Sequence, residues 1–168
     1  MSISMHKASA PLYLRMLGNL DQLLEKAEAN AKERGFDANL LVTSRLAPDM
    51  RPLSAQIQLA SDTSKGTMAR LSGGTAPAMA DTETTIADLR VRIANTIDYI
   101  KSVPTSAIDG SEDREVILKF PNGEMKFKGI DFLTNFAIPN FMFHVTTAYA
   151  ILRHNGVPLG KQDFLGRS

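Results

Sequence analysis

Apolar positions recur at helical spacing in four long stretches of the chain, and two short stretches are rich in residues that favour strands. From Ser4 to Arg34, Met5, Leu12, Met16, Leu23 and Ala27 fall on one face when successive residues are rotated by about 100°. This predicts a first helix, closed at Arg34 and Gly35 because glycine readily takes the left-handed conformation that ends a helix. Asn39 to Asp49 reads as a connection. A second helix is predicted to begin between Asp49 and Pro52, with Asp49 as a good N-cap and proline tolerated in the first turn. Its inner face holds Leu53, Gln56, Ile57, Ala60, Ser64, Met68 and Leu71, and Gln58, Asp62 and Lys65 lie outside. The Gln56 amide is thereby turned inward. Ser72, Gly73 and Gly74 end this helix, and a loop punctuated by Pro77 follows.

Asp81 or Thr82 is placed to cap a third helix, whose stripe is Ile86, Leu89, Ile93, Ile97 and Ile100 and which Pro104 interrupts. After a polar loop from Thr105 to Asp113, the β-prone segments Val116–Phe120 and Met125–Lys128 flank Pro121, Asn122, Gly123 and Glu124. Asn-Gly between such segments predicts a hairpin with a type I′ turn, since both residues tolerate positive φ. The last helix is predicted over Ile130 to His154, ended by Asn155, Gly156 and Pro158. Its inner face reads Leu133, Phe136, Ala137, Asn140, His144, Thr147, Ala148 and Ile151. The fold class expected is all-α: one four-helix bundle over residues 1–168, with a small β-hairpin inserted before the last helix.

Composition agrees with one folded domain. The chain has 168 residues, 43% of them hydrophobic and 22% charged, enough for one core and too few for two ordinary domains. Lys and Arg number 19 against 18 Asp and Glu, which leaves no global field to attract nucleic acid or an anionic membrane. Lys119, Lys126 and Lys128 are local cations in the proposed hairpin, where exposed charge commonly guards a sheet edge. The absence of cysteine excludes disulfides, thiolate ligands and cysteine nucleophiles. No apolar run approaches the roughly 20 residues of a bilayer span, and the first seven residues lack the apolar stretch of a secretory signal. A cytoplasmic protein with neither a membrane nor a nucleic-acid partner is expected.

Chemistry concentrates on the last helix. Asn140 and His144 stand one turn apart in an otherwise apolar stripe, a spacing used by two-residue metal sites and equally by a hydrogen-bonded core histidine with an amide partner. Pro139, just before the pair, removes the backbone hydrogen bond to the Asn135 carbonyl, so an irregularity is expected there. His6, off the main stripe, and His154, at the negative end of the helix dipole, read as ordinary surface residues. Asp62 and Lys65 read as an exposed pair on a solvated face. No phosphate loop, Gly-x-Ser-x-Gly elbow or His-Glu-x-x-His motif occurs. Ile138, Met142, Val145 and Tyr149 form a second apolar stripe opposite Asn140 and His144. They are expected to be a homodimer interface, unless helix one, the hairpin or the segment from Val157 to Leu165 folds over them.

The segments Ala47-Pro-Asp-Met-Arg-Pro-Leu-Ser-Ala-Gln-Ile57 and Pro139-Asn-Phe-Met-Phe-His-Val-Thr-Thr-Ala-Tyr-Ala-Ile-Leu-Arg-His-Asn-Gly156, followed by Asp163-Phe-Leu-Gly166, resemble a branch of the DinB/YfiT-like family with no assigned function. The likeness covers nearly the whole chain. It implies a four-helix bundle, frequent homodimers and, in many members, a divalent metal held by one histidine of helix two and two of helix four. Some relatives act as thiol-dependent transferases or isomerases. Carried over by position, the three ligands fall on Gln56, Asn140 and His144, so one of three is still histidine. Zinc and nickel favour imidazole, and no tightly bound metal is therefore expected; any zinc or nickel ion would be held by His144 with Asn140 and Gln56. The resemblance implies instead a degenerate metal site whose polar pocket binds a small ligand. A metal- or thiol-dependent transferase or isomerase and a non-catalytic homodimeric module are the alternatives.

Overall fold

Four long helices, two strands and several short turns follow one another in a computed structural model that describes residues 3–166. Helix α1, Met5–Arg34, is capped by the Ser4 hydroxyl, which accepts from the Lys7 amide. It ends at Gly35, whose φ of 71° lets Phe36 N–H return to the Ala31 carbonyl. The expected connection contains a 3₁₀ segment, Ala38–Thr43, that buries Leu41 and Val42.

Helix α2, Leu53–Ser72, begins later than Asp49. The residue before a proline is pushed out of the helical region, so Arg51 cannot be helical and Pro52 itself takes the N-cap place. Helix α3, Ile86–Ser102, likewise starts beyond Asp81 and Thr82. Thr85 Oγ1 accepts from Asp88 N–H while the Asp88 carboxylate accepts from Thr85 N–H, a reciprocal box that sets the boundary. A single turn, α4 (Thr105–Ile108), interrupts the expected polar loop and buries Ile108.

Strands β1 (Glu115–Phe120) and β2 (Gly123–Lys128) pair antiparallel, with Val116 opposite Phe127 and Phe120 opposite Gly123. This register corrects the expected turn. Pro121 and Asn122 are the connecting residues, and only Gly123 has positive φ, because the proline ring holds φ negative where a type I′ turn needs it positive.

The last helix is not uniform. A short turn, α5 (Gly129–Asp131), leads into a π-helical segment, Phe132–Ala137, and then into α6, Ile138–His154. Ile138 N–H donates to the Leu133 carbonyl five residues back, and Pro139 follows with no N–H to give. The irregularity expected at Pro139 thus takes the form of a widened helical turn before it. A last turn, α7 (Lys161–Leu165), closes the described chain.

Around the bundle α1 touches α3 and α6, and α2 touches the same two, so α1 and α2 lie on a diagonal. Tyr13, Leu17, Leu24, Ile57, Met68 and Phe141 are fully buried between them. Tyr13 and Phe141 meet edge to face at 4.8 Å. Burial pushes the Tyr13 phenol well above its ordinary value, and its hydroxyl reaches Thr67 Oγ1 at 3.4 Å.

Candidate functional site

Gln56 and His144 meet across the seam between α2 and α6. Each was placed on the apolar face of its helix, and each is buried, at 2% and 9% exposure. Gln56 Nε2 donates to the Arg51 carbonyl at 3.0 Å, which turns its oxygen toward the ring; Gln56 Oε1 lies 2.8 Å from His144 Nδ1. Only an N–H can complete that contact. Nδ1 therefore carries the proton in the neutral ring, and the lone pair resides on Nε2. No described residue hydrogen-bonds Nε2, and this atom is not among those sealed from solvent. Burial, aided by the positive charge of Arg51, holds the His144 imidazolium pKa below its ordinary value, so the ring is neutral near pH 7.

Asn140 does not join this pair. Its Nδ2 donates to Thr63 Oγ1 at 2.8 Å, and Thr63 lies seven residues beyond Gln56 on the same face of α2. Of the three carried-over positions, two are bonded to each other and the third is held elsewhere along the seam. The donor set does not suit zinc or nickel. His144 Nε2 is the one imidazole donor at these positions, the Gln56 oxygen is taken, and neutral amides are poor ligands for these ions. Among the described residues no three His, Asp or Glu side chains gather into a metal-binding group.

Thr63 escaped the sequence reading, although the seven-residue spacing from Gln56 was the available signal. A second group was misplaced. Lys65, expected on a solvated face, is 6% exposed and reaches Asp62 at 2.8 Å and the Pro77 carbonyl at 3.1 Å. Arg92 of α3, 3% exposed, joins them: it pairs with Asp62 at 3.0 Å, Asp81 at 3.1 Å and Glu83 at 2.8 Å, and donates to the Ala80 carbonyl. Burial alone would raise the Glu83 pKa, but hydrogen bonds from Arg92 and Gln58 outweigh it and hold the carboxyl below its ordinary value. The cluster straps the loop between α2 and α3 across both helices.

The second stripe of α6 is partly covered within the chain. Val145 is 1% exposed, and Ile138, Met142 and Tyr149 are partly buried against the core. Tyr149 packs edge-on against Phe164 at 5.8 Å. The segment after α6 is tied along α1: Asn155 O accepts from Arg34, Asp163 pairs with Lys26 at 2.5 Å, Phe164 O accepts from Asn19 and Leu165 O from Arg15. The segment thus lies against Tyr149 and beside Met142. No helix of the described chain is long and apolar enough to cross a membrane.

No curated protein matches the chain. A family model described as a domain of unknown function, DUF1993, matches residues 5–165. The crystal structure of a DinB family member protein from Shewanella denitrificans is 40% identical, with a TM-score of 0.89 over 97% of this chain and 92% of that one. A bundle of this topology, matched over nearly its whole length by both, places the chain in the DUF1993 family of DinB-like proteins.

Proposed function

We propose that the chain binds a small organic ligand through the oriented imidazole of His144, at the position where many DinB-like proteins hold a metal. The supporting observation is the relay from the Arg51 carbonyl through the Gln56 amide to His144 Nδ1. It fixes the tautomer and leaves Nε2 as an acceptor for a donor group on the ligand. The diversion of Asn140 to Thr63 supports a metal-independent reading.

The test is side-chain nitrogen NMR of His144 during titration with small amide, alcohol and amine fragments. The reading expects Nδ1 to stay protonated while Nε2 moves on binding. Fragments that leave Nε2 unmoved would overturn it. So would one zinc or nickel per chain after purification without chelator, lost in His144→Ala.

A further inference from the structure

A cleft of about 220 Å³ lies between α2, β1 and the π-helical segment, away from His144. Its floor carries Thr63 and Arg70, and its walls are Lys119, Phe120, Phe132 and Phe136. Phe132 and Phe136 are stacked, with planes 20° apart and centroids at 6.2 Å, and Phe127 buttresses both. A flat apolar wall is thus built before any ligand arrives.

The charges at this cleft are unbalanced. Neither Arg70 nor Lys119 has a carboxylate partner among the described residues. Asp62 also lines the cleft; Lys65 and Arg92 both pair with its Oδ1, drawing that oxygen toward the strap between α2 and α3. Thr63 Oγ1 accepts from Asn140, and its own hydroxyl proton has no acceptor among the described residues.

The position of Arg70 depends on an unusual choice inside a helix. Gly66 lies four residues earlier in the middle of α2, where glycine destabilises a helix relative to alanine. A Cβ there would come within 2.5 Å of Arg70 Nη1, so the missing side chain is what lets the guanidinium lie back along the helix. The adjoining π-helical turn is a second departure from regular structure at the same place, and such turns are frequent at functional sites.

We infer that this cleft binds a small organic anion: a flat aromatic body against Phe136, which Phe132 backs from the core, with its anionic head held by Arg70 and oriented by the Thr63 hydroxyl. The volume is below the roughly 300–1,000 Å³ of sites for drug-sized ligands, which suits a single ring.

The probes are benzoate, phenylphosphonate, benzamide, acetate and inorganic phosphate, titrated into the full chain and followed by amide NMR shifts. Benzoate or phenylphosphonate should shift Thr63, Thr67 and Leu118, and the tighter of the two identifies the head group. Benzamide, acetate and phosphate should each bind about tenfold more weakly or worse, since each lacks the charge or the ring. Arg70→Gln, on an exposed residue, should weaken binding about tenfold, and Lys119→Gln, on the other face of the hairpin, should not. Gly66→Ala should melt no lower than wild type and still lose affinity, which separates a misplaced guanidinium from a damaged fold. Equal binding of benzoate and benzamide, equal binding of benzoate and phosphate, no shift with either aryl anion, or unchanged affinity in Arg70→Gln would each overturn the inference.

Discussion

The Gln56 amide stands between the Arg51 carbonyl and the His144 ring, donating to one and accepting from the other. That contact orients His144, while burial and the positive charge of Arg51 hold its folded pKa below that of the unfolded chain. Between the two values the unfolded state binds the extra proton, so acidification favours unfolding. The His144 contribution is complete above about pH 6.5, the ordinary imidazole value, and declines as pH falls through the folded pKa. Thermal melts of wild type should drop between pH 7.5 and pH 5, and His144→Gln should show a flatter dependence. An imidazole titration by NMR with a midpoint above the ordinary value would contradict this.

Arg92 is the other buried polar centre, and it holds three carboxylates at once. Removing it leaves the half-buried Glu83 beside Asp62 and Asp81 with only Gln58 donating to it. Arg92→Met should cost roughly 1–3 kcal/mol in denaturant unfolding, the range for leaving a polar group without its partner, since Asp62 and Asp81 remain open to water. The loop between α2 and α3 should also become sensitive to limited proteolysis.

Two glycines should respond in opposite directions. At Gly129 a Cβ would lie 2.0 Å from the Ser111 carbonyl oxygen, a backbone atom that also sits beside the Ile130-to-Glu112 hydrogen bond. Gly129→Ala should therefore destabilise by about 1–3 kcal/mol, as overpacking does. Gly18, in the middle of α1, has open space around it, and Gly18→Ala should stabilise by roughly 0.5–1 kcal/mol. Urea unfolding of the two variants beside wild type decides both.

Phe164 covers Tyr149, and Leu165 lines a groove with Met142, Pro11 and Leu12. Phe164→Ala should lower stability by about 1–2 kcal/mol. It should also raise self-association at micromolar concentration, since it uncovers apolar surface of α6. Light scattering that shows the same mass for variant and wild type would remove the second half of this prediction.

The periodicity of single helices was enough to turn Gln56 and His144 toward each other, because both lie on the most apolar face available. Asn140 was placed on the correct face but with the wrong partner. The choice between Gln56 and Thr63 depends on how α6 slides along α2, and no one helix encodes that. Pro139 announced an irregular backbone, and the π-helical turn is how the chain accommodates it. Lys65 was misjudged for a different reason: the path of the loop through Pro77 decides whether its side of α2 meets water. The loop is held there by Arg92, which is remote in sequence. The hairpin was legible, but its turn was not, since Asn122-Gly123 was read without the ring of Pro121 beside it.

The ties between α1 and the segment 155–165 join positions up to 150 residues apart. At roughly 5–20 residues per second, a ribosome that has completed α1 takes about 7 to 26 s to deliver the chain that covers this side of it. During that interval the groove floored by Pro11, Leu12 and Met16 has no lid of its own, and native burial of α1 cannot be finished by any shorter nascent chain. Holding α1 in a non-aggregating state through synthesis then falls to whatever engages nascent chains, and folding in the cell becomes a problem of timing as much as of stability.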